Sequence, residues 1–240
     1  MKPTTRLDQI KLTILTDNIA FDHRLKTSWG YACLVETGQH TILFDTGGDG
    51  SILLYNMSVL GINPDQIEAV VISHEHDDHT GGLYAFTKFN NHAPVYTPQS
   101  FSKEFKQPLK TASRLVEVSG PVEIVEGIHS SGEIGTKIIE QAIFIKTQEG
   151  LVLITGCAHP GIVNILHKVE EFGEVQAIIG GSHLKNDKAS EVQAVIQTLQ
   201  KLGVRRAAPS HCTGSSAVSA FKDAFGGGYI LAGAGAIIRF

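Results

Sequence analysis

Short apolar runs recur along the chain, and each stops at small or polar residues. Thr41-Ile42-Leu43-Phe44 runs into Asp45, Ala69-Val70-Val71-Ile72 into Ser-His-Glu-His-Asp-Asp-His, and Leu151-Val152-Leu153-Ile154 into Thr-Gly-Cys-Ala-His. Ala177-Ile178-Ile179 ends in Gly-Gly-Ser-His, and the run from Val204 to Ala208 ends in Pro-Ser-His-Cys. Continuous apolar runs predict strands buried on both faces, and in α/β sheets functional groups gather in the loops at the strands' carboxyl ends. Five predicted strands therefore finish next to a residue that can hold a metal or move a proton, and the pattern predicts that these ends converge.

Helical spacing appears between the runs. Val192, Val195, Ile196, Leu199 and Leu202 predict a helix over 191–202, with Ser190 and Gln193 as a capping box and Gly203 as the stop. Ile162, Ile165, Leu166 and Val169 form one face of a second helix over 162–172, before Gly173. Two β-rich stretches, 12–44 and 115–154, each lead into such alternation. With no internal repeat and no Pro/Ser-rich linker, the reading is a single α/β (α+β) domain over residues 1–240.

Composition changes this picture at one point only. A 42% hydrophobic share permits a real core and argues against disorder or a disulfide-stapled miniature fold. Twenty basic against 24 acidic residues gives 20 − 24 = −4, which offers no footprint for a polyanion, so nucleic acid is not an expected partner. The first residues, MKPTTRLDQIKLTILTDN, lack the apolar core and cleavage site of a signal peptide. No run approaches the roughly 18 apolar residues of a membrane span. Cys33, Cys157 and Cys212 are odd in number and scattered, which fits a reducing cytoplasm rather than a disulfide framework. The anomaly is the 11 histidines.

Four candidate ligands fall within Ser73–Gly82: His74, His76, Asp78 and His79. In an extended segment alternate side chains share a side, so His74 and His76 can share one cation, while the following turn aims Asp78 and His79 at a second. Chance clustering of solvated polar residues is the bland alternative, and this density directly after an apolar strand weighs against it. Imidazole and carboxylate suit zinc, iron and manganese alike. Other signals are weaker. Thr46–Ser51 (TGGDGS) lacks the spacing of a dinucleotide fingerprint or P-loop and reads as a turn after Asp45. The tail GGGYILAGAGAIIRF reads as a turn with a closing strand or hairpin, Cys33 as a core residue, and His23, His40, His92 and His167 as surface or loop residues. Trp29 and Tyr31 are open between a pocket wall and the core.

The His-x-His-x-Asp-His pattern resembles the signature of the metallo-β-lactamase superfamily. FDTGG at 44–48, TGCAHPG at 155–161 and PSHC at 209–212 stand where that family's strand-end Asp turn, mid-chain motif and final histidine motif fall. The resemblance covers nearly the whole chain. TDN near the start, LGI at 60–62, GGSHL and PSHCTG narrow it to a subgroup similar to dihydropterin-ribofuranosylaminobenzene phosphate synthase-like proteins.

The resemblance implies a four-layer αββα sandwich carrying two divalent transition metals, zinc first, with iron or manganese as alternatives. His74, His76 and His159 would hold the first metal, and Asp78, His79 and His211 the second. His129 competes with His159, which is preferred because Pro160-Gly161 opens a helix behind it. Cys157 stands where many members carry a bridging Asp, and either its thiolate bridges or it packs. Asp45 would orient a ligating histidine through its distal ring nitrogen. The implied activity is hydrolysis of a small, phosphorylated or pterin-like substrate by metal-bound hydroxide, with Asp78 orienting it and taking its proton. His183 would support the leaving group, serve as an alternative ligand, or cap its loop. Lactone, thioester or phosphodiester hydrolysis, and non-catalytic metal binding, are the alternatives; no membrane partner is expected, and the oligomeric state is open.

Overall fold

The computed structural model describes Leu7 and residues 9–240; residues 1–6 and Asp8, part of the stretch read as lacking a signal peptide, lie outside the described residues. The described chain groups into two compact units, one of Gln9–Gly120 with Gly233–Phe240, the other of Pro121–Ala232 with Leu7.

The first unit is built on a seven-stranded sheet. It contains β1 (Ile10–Thr16), β2 (Ala32–Thr37), β3 (Thr41–Phe44), β4 (Ala69–Val71), β5 (Val95–Pro98) and β6 (Leu115–Val118), in that spatial order, with the closing strand Ile237–Arg239 outside β1. The closing strand and β1–β3 pair antiparallel, whereas β3–β6 run parallel and so need crossovers. The first crossover holds the helix Gly50–Val59, where the Asp49 carboxylate accepts from the Ser51 and Ile52 amides at 2.7 and 3.4 Å. TGGDGS is thus a turn and a helix cap. Leu43 and Val70 on the sheet pack with Leu53, Leu83 and Phe86 from the crossovers, all fully buried.

A six-stranded sheet organises the second unit, in the order β12-β11-β10-β9-β8-β7. β7 (Val122–Val125), β8 (Ile128–Ser130), β9 (Ile143–Thr147) and β10 (Gly150–Thr155) form an antiparallel meander. β11 (Val175–Gly181) and β12 (Arg206–Ser210) then extend β10 in parallel, and every residue of β11 is buried, as its apolar run predicts. Two helices cross over, Ile162–Val169 and Ala189–Lys201; Ile165, Leu166, Ile196 and Leu199 pack with Leu153 and Ile178 of the sheet. The second starts two residues before the position read from its apolar spacing. Its cap is also different, because the Lys188 amide donates to Glu191 Oε2 at 2.8 Å rather than Ser190 pairing with Gln193.

No helix among the described residues is long and apolar enough to cross a membrane. Cys33 is buried in β2, and none of the three cysteines forms a disulfide.

Candidate metal centre

In the first unit, the candidate ligands hang on the ends of two adjacent parallel strands. β3 ends at Phe44 and β4 at Val71, and the Asp45 amide donates to the Val71 carbonyl at 2.8 Å, which fixes the Asp45 carboxylate beside the loop that follows β4. Asp45 is fully buried. Its Oδ1 accepts from the Ser73 amide, and its Oδ2 accepts from the Ser73 hydroxyl and His79 Nδ1, each at 2.7 Å. Since the Ser73 hydroxyl spends its proton on Asp45, its oxygen accepts from His74 Nδ1–H at 2.9 Å. One carboxylate therefore fixes the protons of both buried imidazoles on Nδ1 and leaves each Nε2 with a lone pair, the form in which histidine binds metal.

His74 Nε2 lies 3.1 Å from His76 Nδ1, close to the roughly 3.3 Å that separates two nitrogens on one tetrahedral zinc. His79 and Asp78 offer a second pair, with Nε2 and Oδ2 3.7 Å apart. His79 is fully enclosed, but the Asp78 side chain retains 19% exposure.

The glycines of the two motifs explain themselves by contact: a Cβ on Gly82 would meet the Thr46 carbonyl oxygen at 2.2 Å, so only glycine lets FDTGG and DHTGG pack backbone to backbone. The early TDN motif supports the same spot. Asn18 Oδ1 accepts from the Gly30 amide, and the adjacent Tyr31 amide donates to the Asp78 carbonyl at 3.1 Å. Of the open pair, Tyr31 is a fully buried core residue and Trp29 is half exposed. Glu75, between His74 and His76, accepts from the Ser102 amide at 2.7 Å and from its hydroxyl, tying the loop to the helix Lys103–Ala112.

The second unit carries its own set. Cys157 and His159 follow β10, His183 follows β11, and His211 follows β12. Cys157 and His211 are buried, with ligand atoms within 4.8 Å of one another. The Cys212 thiol donates to the Cys157 carbonyl at 3.4 Å. His183 is exposed, and its ring centroid lies 4.5 Å from that of His159. Desolvation of the ring, then the charge of His159, holds the His183 pKa below its ordinary value and favours the neutral imidazole.

The residue that sequence reasoning missed is Glu140, which is fully buried. Its Oε1 accepts from the Cys157 and Ala158 amides at 3.0 and 2.9 Å, and its Oε2 accepts from the His159 amide at 2.9 Å and from His159 Nδ1 at 3.1 Å. His129 is elsewhere, on β8, with its ring edge against Phe144 and Nδ1 3.9 Å from Glu123. Burial, then the charge of Lys146, pushes its pKa down to about 4.

Among the described residues, four besides glycine take positive φ: Asp45 (57°), Ala158 (63°), His183 (51°) and His211 (50°). All four stand just past strand ends, in the loops that carry the candidate ligands. Strained backbone of this kind persists only where the surroundings enforce it.

The fold and these loops define a class. The family model described as the metallo-beta-lactamase superfamily matches residues 30–211, and the chain belongs to that superfamily, whose mixed α/β fold its two sheets and helices reproduce. A solved metal-dependent hydrolase of the β-lactamase superfamily matches with a TM-score of 0.81 and 26% identity, over 96% of this chain and 99% of its own. By sequence, the chain is 29% identical to the 7,8-dihydropterin-6-methyl-4-(β-D-ribofuranosyl)-aminobenzene-5′-phosphate synthase of Methanocaldococcus jannaschii, over 98% of each chain. A metallo-β-lactamase fold protein of Bacillus subtilis shares the fold at 15% identity, with a TM-score of 0.73 over 97% of this chain and all of its own.

Proposed function

We propose that the two sets of ligands act together as one binuclear metal centre for hydrolysis of, or a related displacement on, a small phosphorylated or pterin-like substrate. His74, His76 and His159 would hold one metal; Asp78, His79 and His211 would hold the other, with the Cys157 thiolate as a further ligand. A soft sulfur in that set favours zinc over iron or manganese, and a reducing cytoplasm would keep it available. The observation that carries this reading is the Asp45 network, which fixes two buried imidazoles on Nδ1–H and presents both Nε2 lone pairs.

When bound, two divalent metals would provide a nucleophile at neutral pH and offset charge on the attacked group. The protein's own part is positional. Asp78, partly exposed beside the enclosed His79, accepts the proton of the attacking water. His183, exposed and next to His159, faces the leaving group and hydrogen-bonds it. The pterin-phosphate class comes from the methanogen relative's name, supported by similarity along the whole chain.

The test is a hydrolase screen of purified, metal-loaded protein on phosphate mono- and diesters, lactones and thioesters, with and without EDTA. The expected result is EDTA-sensitive turnover of a phosphate ester that Asp78→Ala abolishes while the fold stays intact. Turnover confined to lactones or thioesters would move the substrate class, and undiminished activity in Asp78→Ala would remove that residue's role.

A further inference from the structure

We infer that Glu140 is the positioning residue for His159: one buried carboxylate sets both the path of the loop after β10 and the tautomer of its histidine. The Glu140 backbone is itself pinned, exchanging two hydrogen bonds of 2.9 Å with Ile134. From there its two oxygens gather four donors, the amides of Cys157, Ala158 and His159 and the ring nitrogen of His159. Turning three successive amides toward one point requires Ala158 at φ 63°, which an L-residue seldom adopts, and the carboxylate offsets that strain.

The chemistry then follows from what a carboxylate can do. An ionised carboxylate only accepts, so the His159 nitrogen facing it must carry the proton, and Nε2 is left with the lone pair. Glutamine is nearly isosteric but must place an NH2 group at one end. If its oxygen keeps the Cys157 and Ala158 amides, the NH2 faces His159 and favours a lone pair on Nδ1. The proton moves to Nε2, where it blocks coordination.

The hold of Glu140 on the ring stands without a metal; its consequence for metal binding rests on the reading of His159 as a ligand. The experiment separates the two. Nitrogen-15 NMR of the histidine rings in metal-free, full-length protein, at mildly alkaline pH where imidazole is neutral, should show His159 protonated on Nδ1 in wild type and in Glu140→Asp. In Glu140→Gln the proton should sit on Nε2. Competition with a chelator for zinc should then show affinity reduced about 10- to 100-fold in Glu140→Gln and closer to wild type in Glu140→Asp.

A wild-type His159 protonated on Nε2 overturns the inference and needs no variant, so a Gln variant that fails to fold leaves it testable. A Glu140→Gln protein that keeps the proton on Nδ1 overturns it too. A moved proton with unchanged zinc affinity supports the grip of Glu140 but removes His159 from the ligand set.

Discussion

Each unit sets one fully buried carboxylate against its candidate ligands, Asp45 on His79 and Glu140 on His159, and the two work differently. Asp45 acts mainly on side chains 28 and 34 residues away, gripping the Ser73 hydroxyl and the His79 ring. Glu140 acts mainly on the backbone, taking three successive amides of one turn before it reaches the ring of His159. Asp45 thus fixes two imidazoles, His79 directly and His74 through Ser73, and Glu140 fixes one. A side-chain grip sets several imidazoles at once, while a backbone grip builds the loop that carries Cys157 and His159 and orients one imidazole.

The difference can be broken by experiment. Asp45→Asn, with its NH2 group in the Oδ2 position, faces both the Ser73 hydroxyl and the His79 ring, so the candidate ligands His74 and His79 lose their tautomer together. Its zinc affinity, read by chelator competition, should fall about 100-fold or more, the top of the range for groups that orient metal ligands. Glu140→Gln must fall less; a larger loss there would reverse the comparison. His159→Ala should lose part of the bound metal by elemental analysis, whereas His129→Ala should keep it all. The reverse result would make β8, and not the Glu140 loop, the source of the mid-chain ligand.

The smallest effect is on stability and concerns that same His129. Its folded pKa of about 4 lies below the ordinary 6.5, so the unfolded chain binds the extra proton and folding stability rises with pH. The stability is therefore fully present above about pH 6.5 and is lost as pH falls toward 4. One proton gives a slope of at most about 1.4 kcal/mol per pH unit. His129→Gln should flatten the denaturation midpoint across that window relative to wild type, and equal slopes would show that His129 does not titrate there.

Much of this was legible in the sequence, and the two carboxylates show where legibility stops. Asp45 follows an unbroken apolar run and precedes two glycines, so strand, turn and functional group are all signalled within five residues. Glu140 lies in the irregular segment between β8 and β9, where no period marks which side chain turns inward, and its partners are backbone amides that carry no sequence signal. The same reason hid the Lys188–Glu191 cap, since a cap is set by where the chain enters the helix and not by the apolar stripe. The strand ends were readable because burial on both faces demands apolar residues, and β10 and β11 supply them. Strand order was not, because β10, β11 and β12 pair in parallel through crossover helices that leave no trace of which neighbour each strand chooses.

The proposed pair of metal sites rests on both sets of ligands, one beside Asp45 and one beside Glu140. Elemental analysis of protein purified after metal-supplemented expression tests it most directly. Wild type should carry close to two transition-metal equivalents per chain, falling in Asp45→Asn; a wild-type value near zero, or one equivalent that no metal addition raises, would rule out a binuclear centre.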